Sequence, residues 1–313
     1  MAEITIVECG PRDGLKLVEG IVPVNEKVNF IEKLSETGLR KIEAVSFVHP
    51  RLLPQLGDAE EVMKLVKKKP GVTYIGVTPT EVACRRSILT DVDEIMVLIA
   101  ASETFNQVAL GYSSREMINK VLPSIINVVL SEGKGIRAYI LTSFGCPYEG
   151  KVEVNKVEEL ISKLDFMRVN EISLIDSTGM ADPMHVKVLL SHLLKLKLNA
   201  KLAVHFHETR GMGLANAMAA FEAGIRIFDA AVGGMSTKPF GAPDHSVTHW
   251  NIPTEDLVNM FESMGIQTGV DLDLLLACAS MAEKMMKRQL TGHILRAGPS
   301  HRVFQPTQRL KIS

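Results

Sequence analysis

Short apolar, β-rich runs alternate with longer amphipathic ones along the whole chain, and that alternation predicts the elements. Ile4–Glu8 reads as a strand followed by a helix near Asn25–Glu36; Lys41–Phe47 precedes Ala59–Lys69, Thr73–Val77 precedes Thr80–Leu89, and Glu94–Ala100 precedes Ser114–Glu132. The pattern continues with Ile136–Thr142 and Asn155–Met167, Glu171–Asp176 and Met184–Leu196, Leu202–His207 and Met212–Ala223, then Arg226–Val232 and Thr254–Met264. Eight strand–helix units in series predict an α/β fold, a (β/α)8 TIM barrel, ahead of an open sheet. A further helix over Leu272–Met286 and a polar tail from His293 onward follow, so we expect a barrel domain over residues 1–290 and a C-terminal tail over 291–313. Local chemistry marks the boundaries: Asn25 as an N-cap with Gly38 closing that helix, Pro183 in a first helical turn, and Gly224 and Gly265 just past helix ends.

The segment from Leu202 to Gly234 concentrates the chemistry. His205 and His207 occupy alternate positions of one strand and so project from the same face. A single histidine in an apolar strand is ordinarily a satisfied core residue. A pair at the carboxyl end of a strand, where α/β folds place their ligands, favours a site. The pair supplies two ligands of a metal, and the rest must come from elsewhere in the chain.

Composition narrows the classes without choosing among folds. The 313 residues are 46% hydrophobic and 23% charged, which excludes a disordered chain. A formal net charge of −1 gives no electrostatic case for nucleic acid. Cys9, Cys84, Cys146 and Cys278 are scattered, with no C-x-x-C pair, which predicts neither a zinc ribbon nor a disulfide framework and fits a reducing compartment. No apolar run has membrane-spanning length, and the first residues enter a strand pattern without a leader, so a cytoplasmic protein is expected.

In a barrel, residues at the strand ends converge on one mouth. Strand 1 offers Arg12 and Asp13, strand 2 Glu43 and Ser46, strand 6 Asp176, strand 7 the two histidines, and the loop after strand 8 Lys238, Asp244, His245, His249 and Asn251. Asp13 before Gly14 reads equally as a turn residue, and Asp176 and Asn251 as helix caps, with Thr254 the better local cap beside Asn251. Glu43 inside the run IEAV is more telling, because an ionised carboxylate in a buried strand is costly without a cation or metal. Two imidazoles, an aspartate and an amide oxygen make a mixed N/O set suited to Mg²⁺ or Mn²⁺ rather than structural zinc. Arg12 beside such an ion suits a developing enolate or carboxylate.

Seven stretches carry a family resemblance: VECGPRDGLK (7–16), IEAVSFVHPRLLPQLGD (42–58), AASETFN (100–106), FGCPYEGKV (144–152), ISLIDSTG (172–179), HFHETRGMGLANAMAAFEAG (205–224) and NIPTEDLVNMFESMGIQTGV (251–270). Through them the chain resembles the hydroxymethylglutaryl-CoA lyases, metal-dependent barrel lyases. The resemblance implies Asp13, His205, His207 and Asn251 as metal ligands, Arg12 as the group that stabilises the enolate oxygen, Glu43 and Asp176 as acidic residues needed for catalysis, and Ser46, Asn106, Arg12 and Arg210 at the substrate. It implies a retro-Claisen cleavage of an acyl-CoA to acetyl-CoA and a keto acid, and a homodimer or higher homo-oligomer. Two departures stand out. Where the family has a loop cysteine in G-G-C-P-Y, this chain reads GGMSTKPFGAPDHSVTHWN, with Lys238 before Pro239 and Phe240. Lys238, or His245 or His249, is expected to take over proton transfer, or Lys238 to steer an anion. HETRG in place of HDTYG adds Arg210 at the mouth, alternatively as a surface salt bridge. These changes leave open a lyase for another β-hydroxy thioester such as citramalyl-CoA, an aldolase without CoA, or a non-catalytic acyl-CoA-binding barrel.

Overall fold

Alternation within each strand decides which side chains fill the barrel and which meet the helices. A computed structural model describes residues 4–18, 20–237 and 249–299. Strands β1 (Thr5–Glu8), β2 (Lys41–Ser46), β3 (Thr73–Val77), β4 (Glu94–Ala100), β5 (Gly135–Leu141), β6 (Glu171–Ile175), β7 (Lys201–His205) and β8 (Ile227–Ala230) pair in parallel in that order, and β8 returns to β1 to close the barrel. One set of side chains, including Val7, Ile75, Met96, Tyr139, Ala203 and Ile227, packs inside the barrel, separate from the larger apolar layer between strands and helices.

The outer helices are α1 (Val24–Glu36), α2 (Ala59–Leu65), α3 (Glu81–Ser87), α4 (Leu122–Ser131), α5 (Val154–Phe166), α6 (Pro183–Leu193), α7 (Gly213–Ala223) and α8 (Thr254–Ser263), with α9 (Leu272–Met286) beyond them. Every expected strand–helix unit is present, with shifts at the ends. The N-cap of α1 is Pro23 rather than Asn25, which lies inside the helix, and α2 ends at Leu65, where Val66 turns extended. The predicted helix over Ser114–Glu132 is broken into a short α turn, a π-helical turn over Met117–Val121, and α4. Asp182 caps α6, accepting from the amides of Met184 and His185 at 2.9 Å each, with Pro183 in the first turn as expected.

Past β8 the chain makes a two-stranded ribbon of β9 (Ser236–Thr237) and β10 (His249–Trp250), antiparallel. The returning segment lies across the ends of β7 and β8: Glu208 N donates to Trp250 O at 2.6 Å, and Ala231 N to Ile252 O at 3.0 Å. Residues 291–299 stay on the barrel, because Asp256 at the start of α8 accepts from the amides of His293 and Ile294, ahead of a short helical turn over Ile294–Ala297. No helix among the described residues is long and apolar enough to cross a membrane.

Candidate active site

The end of β1 runs directly into a helical turn, Gly10–Asp13, with Pro11 in its first turn. The close approach at both flanks requires glycine: a Cβ at Gly10 would lie 2.6 Å from Glu8 Oε1, and one at Gly14 would lie 2.4 Å from Met235 Cβ. Arg12 and Asp13 are thereby pinned at the carboxyl mouth, both buried. Burial alone would raise the Asp13 pKa, but Lys16 and Arg12 hold it well below the usual carboxylate range.

His205 ends β7, while His207 lies two residues past it and is fixed by an isolated bridge to Asn251 on the returning segment. That bridge brings together residues far apart in sequence. His207 Nδ1 donates to Asp176 O at 2.6 Å; a carbonyl can only accept, so this contact puts the proton on Nδ1 and leaves Nε2 with its lone pair. His207 Nε2 is buried with no hydrogen-bond partner among the described residues, and burial, with His205 next to it, pushes its pKa down to about 3. It is a neutral imidazole aimed at a gap. Ligand atoms of Asp13, His205 and His207 lie within 4.8 Å of one another. Asn251 completes the set: its Nδ2 donates to Met235 O at 2.8 Å and Asp13 Oδ2 at 3.1 Å, so its Oδ1 turns to His205 Nε2, 2.8 Å away.

This donor set fits a divalent cation. An orphaned imidazole nitrogen, a carboxylate, a second imidazole and an amide oxygen, all buried and convergent, have no apolar explanation. Cys9, His205 and Asp229 form a second cluster, but burial, with Glu43 and Asp229 nearby, pushes the Cys9 thiol well up, which disfavours the thiolate a metal would take. Asp229 instead stands behind His205, its Oδ2 3.4 Å from Nδ1, the position from which a carboxylate orients a ligating histidine. Asp229→Asn is expected to weaken Mn²⁺ binding about 10- to 100-fold, measured by titration of the metal-free protein; unchanged affinity would remove Asp229 from this role.

Beneath the mouth lies a buried charge network. Glu43 accepts from Arg12 Nε at 2.8 Å and Arg137 Nη1 at 3.2 Å, and also bonds Arg12 Nη2 and the Tyr139 hydroxyl. Its oxygens are thus occupied by protein donors, and it holds the Arg12 guanidinium in place. Burial works against the Arg12 charge, yet Glu43 and Asp13 hold the guanidinium firmly protonated.

The other predicted residues divide. Asp176 lies at the end of β6 with Oδ1 accepting from Met180 N at 2.7 Å and Oδ2 from Ala181 N at 3.1 Å, and burial raises its pKa to about 6. Ser46 ends β2, buried. Asn106 is wholly buried and spends its amide on Ala100 N and O and on Ser114 Oγ, all at 2.8 Å, so it braces the end of β4 and is absent from the cavity wall. Arg210 is exposed and donates to the carbonyls of Thr178 and Gly179, tying the loops after β6 and β7 together. Lys238, Asp244 and His245 lie outside the described residues. His249 is buried at the foot of that loop, 6.3 Å from the His207 ring and 3.3 Å from Thr209 Oγ1.

Four residues of the site lacked a sequence-based assignment. Asp229 and Arg137 are charges inside the apolar strands IFDA and IRAYI, the same signal that singles out Glu43. Tyr139 lines the cavity above them. Lys16 joins the cavity wall because the helical turn after Asp13 brings its Nζ to 2.5 Å from Asp13 Oδ1. Burial lowers the Lys16 pKa against the opposing pull of Asp13.

The family model described as HMGL-like matches residues 3–282. The chain is 38% identical to hydroxymethylglutaryl-CoA lyase YngG of Bacillus subtilis over 293 residues, covering 94% of this chain and 96% of that protein. It is 36% identical to the mitochondrial hydroxymethylglutaryl-CoA lyase of Homo sapiens, covering 94% of this chain and 89% of that protein. The structure of an HMG-CoA lyase from Acinetobacter baumannii in complex with coenzyme A and 3-methylmalate superposes with a TM-score of 0.90 at 34% identity, covering 97% of this chain and 98% of that one.

Proposed function

The chain belongs to the HMGL-like family, and from that premise we propose that it is a carbon–carbon lyase that cleaves 3-hydroxy-3-methylglutaryl-CoA to acetyl-CoA and acetoacetate. The observation that carries this reading is the placing of one guanidinium, Arg12, against a convergent Asp13, His205, His207 and Asn251 set at the barrel mouth.

Asp13, His205, His207 and Asn251 would hold a divalent ion, Mg²⁺ or Mn²⁺ by the chemistry of the donors. When bound, the ion supplies Lewis acidity toward the substrate oxygens and a template that orients them. Arg12, fixed by Glu43 before substrate arrives, offers donors to the thioester oxygen as that oxygen gains enolate charge. Asp229 orients His205, and the Asp176 carbonyl orients His207. Lys238 is assigned the proton transfers at the 3-hydroxyl and the leaving acetyl carbon, in the position where the family has a cysteine. The coenzyme A and hydroxydicarboxylate held by the Acinetobacter relative support an acyl-CoA substrate with a free carboxylate. A homodimer or larger homo-oligomer, a cytoplasmic location, and a 1–290 barrel with a 291–313 tail complete the proposal.

Acetyl-CoA release from 3-hydroxy-3-methylglutaryl-CoA, by metal-free protein resupplied with Mg²⁺ or Mn²⁺, tests this function. Metal-dependent release is the expected result, and none from metal-loaded protein would defeat it. In the same assay, a Lys238→Ala variant with kcat intact and only KM raised would remove Lys238 from proton transfer.

A further inference from the structure

The cavity at the barrel mouth has two unlike walls. Leu98, Phe105, Leu110, Leu141 and Ile175 present hydrocarbon, whereas Arg12 and Lys16 present cations. Lys16 lies on the short helical turn Gly14–Leu17 that continues directly from Asp13. At i+3 from Asp13, its Nζ reaches Asp13 Oδ1 at 2.5 Å, with only 11% of the side chain exposed.

The same Asp13 oxygen also accepts from Arg12 Nη1 at 2.6 Å. One carboxylate therefore meets two cations, the buried Arg12 and the largely enclosed Lys16. Arg12 has Glu43 as a second anion, and Glu43 is itself shared with Arg137. A divalent ion at Asp13, His205 and His207 draws on that same carboxylate and adds two positive charges beside Arg12 and Lys16. Buried charge of one sign is costly until an anion arrives. The five apolar residues named above offer a carboxylate no side-chain donor and the Tyr139 and Ser177 hydroxyls that share the lining are neutral, so an entering anion finds its charged partners at Arg12 and Lys16.

We propose that Lys16 reads the free carboxylate of the acyl chain, so that the pocket selects hydroxyacyl thioesters ending in a carboxylate over those ending in an alkyl group. The inference rests on the lyase reading above. Arg12 and Lys16, sharing one oxygen of Asp13, lie close enough to engage opposite ends of one five-carbon acyl chain, Arg12 at the thioester and Lys16 at the carboxylate. An ammonium on a flexible stem suits this task, since it can leave Asp13 for the incoming anion without disturbing the guanidinium that Glu43 holds.

The test uses two ligands that differ by the terminal carboxyl group, 3-hydroxyglutaryl-CoA and 3-hydroxybutyryl-CoA, titrated into Mn²⁺-loaded wild type, Lys16→Met and Lys16→Arg. Wild type is expected to bind the carboxylate ligand at least about tenfold more tightly, the scale of one hydrogen bond to a charged group. Lys16→Met should lose about 10- to 100-fold in affinity for 3-hydroxyglutaryl-CoA and less than about threefold for 3-hydroxybutyryl-CoA, with Lys16→Arg retaining the preference. Equal weakening of both ligands by Lys16→Met, or a preference left intact, would overturn the assignment. A Lys16 that only braced Asp13 would change Mn²⁺ affinity in the absence of any CoA ester and leave the preference unaltered, which also overturns it. Failure of the lyase reading is separately visible as an absence of acetyl-CoA release by wild type, because the two-ligand comparison reads binding alone.

Discussion

Arg12→Gln is expected to lower kcat on 3-hydroxy-3-methylglutaryl-CoA by on the order of 10² to 10³, the scale of losing one preorganised donor to a developing oxyanion. The reason lies in how the guanidinium is held. Glu43 takes Nε at 2.8 Å, Asp13 takes Nη1 at 2.6 Å, and the Tyr139 ring lies beneath with its centroid 5.8 Å from Cζ. Arg12 is therefore oriented before any charge forms, which makes its stabilisation greater for the enolate than for the ground-state thioester. Glutamine keeps a donor but loses the charge and the fork that fits Glu43. Lysine keeps the charge but not the geometry, so Arg12→Lys should also lose most of the rate. Asp13 retains Lys16 and Asn251 as partners in both variants, and Mn²⁺ affinity is expected to stay within about threefold. Steady-state kinetics beside a Mn²⁺ titration checks both statements. A raised KM with unchanged kcat would mean that Arg12 binds substrate and transition state alike.

Much of the fold is legible because a barrel is repetitive. Each βα unit carries its own period, so an error of a few residues in one leaves the others untouched. The errors fall where tertiary packing overrules local preference. Asn25 is a good capping residue by type, but the chain enters α1 at Pro23. His207 reads as strand from HFH, yet β7 stops at His205 because the next partner of the backbone is the returning segment at Asn251, not a barrel strand. The site is legible where a residue type is improbable for its surroundings. Two histidines on one face and a glutamate in an apolar strand meet that criterion. Asp229 and Arg137 meet it too, but Arg137 lies near the start of β5, away from the mouth, and Asp229, though level with His205 at the end of β8, turns to Arg137 and Tyr139 inside the barrel. Lys16 gives no such signal, since a lysine in a turn is ordinary and only the helical geometry after Asp13 turns it into the cavity. Asn106 shows the reverse. The family resemblance places it at the substrate, but its three hydrogen bonds all go to the protein.

Arg137→Met should be the most destabilising of these substitutions, by about 3 to 5 kcal/mol, the cost of leaving buried charge uncompensated. Arg137 is fully buried and joins three strands: Nε meets Glu171 Oε1 at 2.6 Å, Nη1 meets Glu43 Oε1 at 3.2 Å, and Nη2 meets Asp229 Oδ1 at 2.5 Å. Glu171 keeps Lys41 at 3.0 Å and Glu43 keeps Arg12, so Asp229 suffers most. Burial would raise the Asp229 pKa, and Arg137 and then His205 hold it down instead. Methionine fills much of the volume but supplies no charge, so packing and electrostatics are separated in one variant. Denaturant unfolding of the metal-free protein measures the loss. Adding Asp229→Asn to Arg137→Met removes the stranded charge and should recover part of it, a coupling that a purely steric effect would not show. A loss below about 1 kcal/mol, the range of an exposed ion pair, would mean that the cluster is already neutral in the folded protein. In that case Asp229 could not serve as the anion behind His205, and the network that orients both the guanidinium and the histidine would have to work through hydrogen-bond geometry alone.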